Sequence, residues 1–125
     1  MKARYFRCKK CGKVIVMLSE RNTPTICCGE EMEELAAGIT EASKEKHIPV
    51  FERTGNIVKV SVGSVAHPME EQHFIEWIAL ESSAGVQVRQ LTAGNKPEAV
   101  FALEESDSVE RVLAFCNLHG LWASN

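Results

Sequence analysis

The N-terminal third of the chain contains no apolar run longer than Val14–Leu18, "VIVML". That is too short for a secretory signal core or a membrane-spanning helix. Nor is there an excess of positive charge. Lys and Arg number 14 against 17 acidic residues, a net charge of -3, which argues against nucleic acid or an anionic membrane surface as partner. No internal repeat, heptad pattern or low-complexity tract interrupts the chain, so solenoids, coiled coils and disordered tails are set aside. These absences lead us to expect a cytoplasmic protein that meets a small molecule or another protein.

What the chain does have is sulfur and imidazole, unevenly distributed. Four of its five cysteines, Cys8, Cys11, Cys27 and Cys28, precede residue 30, and no histidine precedes His47. The fifth cysteine, Cys116, lies with His47, His67, His73 and His119 in the remainder. An odd number of cysteines without a secretory signal reads as metal ligands or redox groups before it reads as disulfides. The segregation predicts two domains, 1–36 and 37–125, joined around "AAGITEASKEK".

"CKKCG" and "CCG" supply four thiols, a full tetrahedral set that suits either zinc or iron. Gly12 and Gly29 allow tight turns behind each pair, with backbone N–H groups directed at sulfur. Adjacent residues on a strand face opposite ways, so Cys27 and Cys28 can meet one ion only across a bend. A structural zinc knuckle that staples a small module is the alternative to iron.

The larger part predicts an antiparallel β-sandwich. "IPVFE" and "NIVKVSVG" flank "RTGN" as a hairpin, with Val58, Val60 and Val62 on the buried face. "HFIEWIALES", "GVQVRQLT", "EAVFALE" and "VERVLAF" are further strands, the last also compatible with a short helix. Each histidine stands near a turn or strand edge, and Pro49 and Pro68 disfavour helix at the residue before them. "CNLHG" puts Cys116 and His119 on one turn. A Cys–His nucleophile pair would account for those two residues and leave His47, His67 and His73 without a role.

"EKHIPVF", "HPMEEQHFIEWI" and "CNLHGLW" resemble, in order and spacing, the iron-binding segments of the superoxide reductases. The four-cysteine module is similar to desulforedoxin, a relative of rubredoxin, and makes the resemblance one to the two-iron form, the desulfoferrodoxins. The resemblance implies a mainly β protein, a small desulforedoxin-like module followed by an immunoglobulin-like β-sandwich, usually a homodimer. It implies two irons per chain, one held by Cys8, Cys11, Cys27 and Cys28, the other by His47, His67, His73, His119 and an axial Cys116, with a sixth position open. It further implies one-electron reduction of superoxide to hydrogen peroxide, Lys46 as the charge that attracts the anion, Glu45 as a lid on the resting ferric centre, and a rubredoxin-like electron donor. Without it, Glu45 and Lys46 read as a solvated pair. The competing functions are a rubredoxin-like electron carrier and a structural zinc-ribbon module.

Overall fold

A computed structural model describes residues 2–38 and 42–124. Ile39, Thr40 and Glu41, in the expected junction, lie outside the described residues. Two compact units separate, Lys2–Ala36 and the part that begins at Ala37.

The first unit is a set of short antiparallel strands. β1 (Arg4–Arg7) pairs with β2 (Val14–Met17) and β5 (Glu33–Glu34), and β3 (Ile26–Cys27) pairs with β4 (Glu30–Glu31). Phe6, Cys8 and Met32 are its buried cluster, with Ile15, Met17 and Cys27 packed against them. A fully buried Phe or Met contributes about 1.5–3 kcal/mol, so this cluster is slight beside the entropy of ordering the unit. With Tyr5 and Ala3, 3 and 5% exposed, the buried set is still small, and a metal at the four cysteines would staple the module.

The second unit begins with one helical turn, α1 (Lys44–His47), followed by β6 (Pro49–Thr54), β7 (Ile57–Val62), β8 (Ile75–Ser82), β9 (Val86–Gln90), β10 (Glu98–Ala102), β11 (Val109–Cys116) and β12 (Gly120–Ala123). The strands form two antiparallel sheets, β10-β7-β6 and β12-β11-β8-β9. Between them lies a core from both, including Val58, Val60, Val62, Ala99 and Phe101 from one sheet and Ile75, Ile78, Leu80, Val112, Ala114 and Cys116 from the other. This is the immunoglobulin-like arrangement, with the fourth strand, β9, beside the third.

Val58, Val60 and Val62 are 0, 0 and 1% exposed, as the period of two requires. Gly55, at φ 60°, turns the β6–β7 hairpin. "VERVLAF" is strand rather than helix. Its branched and aromatic side chains pair in register with β8, Val112 opposite Leu80 and Phe115 opposite Trp77. At the end of β11 the register slips, and Cys116 pairs with Ile75. This bulge turns Ile75 rather than Glu76 toward the core and sets Cys116 at the rim of the sandwich. In this unit two elements had no counterpart in the sequence reading: α1, one turn ended by the extended Ile48 before Pro49, and β12, "GLWA".

Candidate metal centres

In the first unit, the Sγ atoms of Cys8, Cys11, Cys27 and Cys28 all lie within 4.8 Å of one another. Cys11 and Cys27 are 3.7 Å apart, and Cys27 and Cys28 3.9 Å. Bonds of about 2.3 Å at tetrahedral angles would separate sulfurs by about 3.8 Å, so the cluster fits one ion. The bend that adjacent cysteines need is present. Cys27 ends β3, and Cys28 has φ 53°, the single non-glycine residue with positive φ among those described. The backbone N–H of Cys11 points at Cys8 Sγ from 3.5 Å and, as the largest cause, brings that thiol down to about 6. Cys28, hydrogen-bonded first by Cys11 and then by Cys27, is pushed up to about 12. Sulfurs so close cannot all ionise without a cation among them.

In the second unit, three turns converge. The α1 turn delivers His47, the loop from Val62 to Ile75 delivers His67 and His73, and the β11–β12 turn delivers Cys116 and His119. The imidazoles form a closed ring. Neighbouring centroids are 4.6 Å (His47–His67), 4.8 Å (His67–His73), 5.1 Å (His73–His119) and 4.9 Å (His119–His47) apart, with adjacent planes at 77–87°. The His47–His73 diagonal is 6.4 Å, close to that of a flat square with such sides. Cys116 Sγ lies within 4.8 Å of the donor atoms of His47, His67 and His73 and 3.8 Å from His119 Nδ1, facing all four.

Backbone carbonyls fix the tautomers. His47 Nδ1–H donates to the Ser43 carbonyl at 2.6 Å and His67 Nδ1–H to the Pro68 carbonyl at 2.7 Å. Both Nε2 atoms therefore carry bare lone pairs, yet they stand 3.1 Å apart, and His47 Nε2 is 3.1 Å from His119 Nδ1. Two acceptors at that distance repel unless a cation lies between them. Metal–nitrogen bonds of about 2.1 Å at right angles place neighbouring nitrogens about 3.0 Å apart. His73 Nε2 is buried without a hydrogen-bond partner, as an unmetallated ligand would be. The donor set fits one metal ion.

Burial holds the His47, His67 and His73 imidazoles below the ordinary histidine range, His67 at about 4, so they stay neutral donors near pH 7. Burial pushes the Cys116 thiol up, opposed by the backbone N–H groups of Leu118 and His119 at its sulfur. Gly120, at φ 78°, closes that turn. Lys46 and Glu45 are both exposed. The Lys46 charge lowers the affinity of His47 and His73 for protons, whereas Glu45 accepts a 3.4 Å hydrogen bond from the Ser43 hydroxyl.

Two supporting residues escaped the sequence reading. Asn117 Oδ1 accepts from the Phe74 N–H at 2.9 Å, Asn117 Nδ2 donates to the Gln72 carbonyl at 3.1 Å, and Asn117 N–H donates to the Phe74 carbonyl at 3.2 Å. It thereby ties the Cys116–His119 turn to the segment that carries His73. Trp122 lies 4.9 Å from the His47 ring and donates its indole N–H to the His119 carbonyl at 3.0 Å. Asn117 sits inside the Cys-x-x-His spacing, a turn position where a side-chain amide is common. Trp122 offered no local signal.

The family profile described as Desulfoferrodoxin matches residues 39–125. The chain belongs to the desulfoferrodoxin family. It is 45% identical over 119 residues to a desulfoferrodoxin homolog of Archaeoglobus fulgidus, covering 95% of this chain and 94% of the relative. The crystal structure of the superoxide reductase from Treponema pallidum superposes with a TM-score of 0.84 at 38% identity, covering all of both chains. A superoxide reductase of Pyrococcus horikoshii is 36% identical over 95 residues, 62% of this chain and 83% of that one. As in the desulfoferrodoxin family, there are two iron centres, one with a four-cysteine set and one with a set of four histidines and a cysteine. The chain is an oxidoreductase. Among the described residues, no helix is long and apolar enough to cross a membrane.

Proposed function

We propose that this protein is a superoxide reductase that converts superoxide, one electron and two protons to hydrogen peroxide at the histidine–cysteine centre. The observation that carries the reading is the square of four imidazoles with the Cys116 thiol close to all of them, a donor set that would leave a bound iron one position for a small anion. His47, His67, His73, His119 and Cys116 would hold an iron that, when bound, would supply the one-electron chemistry, with an outside donor restoring the electron.

The chain's own groups do the rest. Carbonyls of Ser43 and Pro68 hold the His47 and His67 rings with their Nε2 lone pairs inward. N–H groups of Leu118 and His119 stabilise negative charge on Cys116 sulfur and so set how strongly it donates. Lys46 places a positive charge close enough to be felt at His47 and His73, where it attracts superoxide and orders a water that supplies a proton. Glu45, on the same exposed turn, serves as the lid of the oxidised resting centre. Cys8, Cys11, Cys27 and Cys28 hold the other iron in a domain of residues 1–36, and residues 37–125 form the catalytic domain. A rubredoxin-like protein is the electron donor, the protein acts as a homodimer, and its five free cysteines suit the reducing cytoplasm.

Anaerobically purified, iron-loaded and pre-reduced protein mixed with superoxide tests this. One peroxide per superoxide consumed, with no oxygen evolved, is expected. Oxygen release at half the superoxide consumed would mean dismutation and would overturn the reading.

A further inference from the structure

Seven glycines among the described residues have positive φ, and Gly63 is crowded as well. At Gly63, φ 83°, an added Cβ would stand 2.7 Å from both the Glu45 and the Lys46 carbonyl oxygens and 2.4 Å from that of Val65. Gly12, Gly29, Gly38, Gly55 and Gly94 have left-handed φ as well, but a Cβ there meets nothing within 4 Å. The contact at Gly63 is backbone against backbone, so no flexible side chain can give way.

Three hydrogen bonds hold the α1 turn down on this spot. Gly63 N–H donates to the Ile48 carbonyl at 3.0 Å, Val65 N–H to the Glu45 carbonyl at 3.0 Å, and the Ser64 hydroxyl to the Glu45 carbonyl at 3.3 Å. Below it, Val62 is 1% exposed and fixed in the core, while Lys44, Glu45 and Lys46 are exposed. Forced apart, the exposed Glu45–Lys46 backbone shifts, while His47 and Val62, 3 and 1% exposed, stay packed.

We propose that Gly63 is a positioning residue for anion capture: its missing side chain seats the Glu45–Lys46 backbone and thereby sets where the Lys46 charge stands relative to the histidine square. The proposal rests on the reading of Lys46 as the attracting cation. It adds a residue that touches neither metal nor substrate.

The test compares Gly63→Ala with Gly55→Ala in iron-loaded, pre-reduced protein. Gly55→Ala carries the same left-handed cost without the crowding, and its superoxide rate and salt slope are expected to be unchanged. Gly63→Ala is expected to keep its iron content and thiolate-to-iron band, to react up to about 10-fold more slowly with superoxide, and to show a flatter salt dependence. Added to Lys46→Ala, it should cost nothing further. If it slows the Lys46→Ala protein by the same factor as the parent, it does not act through Lys46 and the proposal falls.

Amide exchange at Val65 tests the seat without superoxide: faster exchange in Gly63→Ala supports it, and unchanged protection overturns it. A silent Lys46→Ala would overturn the capture reading while leaving the seat to that exchange measurement. Should Gly63→Ala not fold, Ser64→Ala removes only the hydroxyl on the Glu45 carbonyl and should flatten the salt slope in the same direction. An unchanged slope there would overturn the proposal.

Discussion

The two metal centres are built in opposite ways. In Lys2–Ala36, the ligands come from short turns around a small buried cluster of Phe6, Met32 and Cys8, the last itself a ligand candidate. In the sandwich, twelve buried residues among those described form the core cluster, and the histidines come from the α1 turn and two loops. The first metal is a folding partner. The second is received by a site that the protein largely shapes beforehand, with ring tautomers fixed by carbonyls and the Cys116 turn tied by Asn117.

The largest expected effect that would break this comparison is at Cys116. Serine matches cysteine in shape at a site that is 0% exposed but is a poor anionic donor. Cys116→Ser should keep the sandwich fold, by circular dichroism, and lose the thiolate-to-iron band and most superoxide reduction. A fully loaded variant that kept both would remove Cys116 from the ligand set.

Cys28→Ser comes next. It should remove the tetrathiolate spectrum and loosen residues 2–36, seen as rapid amide exchange there, while the pre-reduced second centre still consumes superoxide. Loss of reaction at that loaded centre would show that the centres are not independent.

Acid should separate the units more gradually. The folded-state pKa values of His47, His67 and His73 lie below the unfolded value near 6.5, so the unfolded chain binds more protons. The stability of the metal-free sandwich should therefore be intact above about pH 6.5 and fall from there toward pH 4. Denaturant midpoints across that range check it, and a flat profile would mean that the rings are not held neutral.

The smallest effect is Lys46→Ala. It should slow superoxide capture by about 10-fold at low salt, flatten the salt dependence, and leave both spectra in place. Rapid mixing over a salt series gives the answer. An unchanged rate and slope would make Lys46 an ordinary exposed loop residue.

The sequence by itself determined the kinds of donor and their grouping. Thiols and imidazoles are chemically explicit, and "CKKCG", "CCG" and "CNLHG" bring partners close along the chain, so local spacing is enough to mark them. It also determined the strands whose alternation survives burial, such as Val58, Val60 and Val62. Residues whose work depends on contacts distant in sequence were not legible. Asn117 holds a segment 43 residues away, Trp122 lies over a ring on α1, and Gly63 differs from Gly12, Gly29, Gly38, Gly55 and Gly94 because the Glu45 and Lys46 carbonyls pass over it. Only the tertiary structure decided that the imidazoles form a square, which nitrogen each of His47 and His67 presents, and that the Cys116 sulfur faces all four rings, because those facts arise where three loops meet on a packed sandwich and have no period or spacing along the chain.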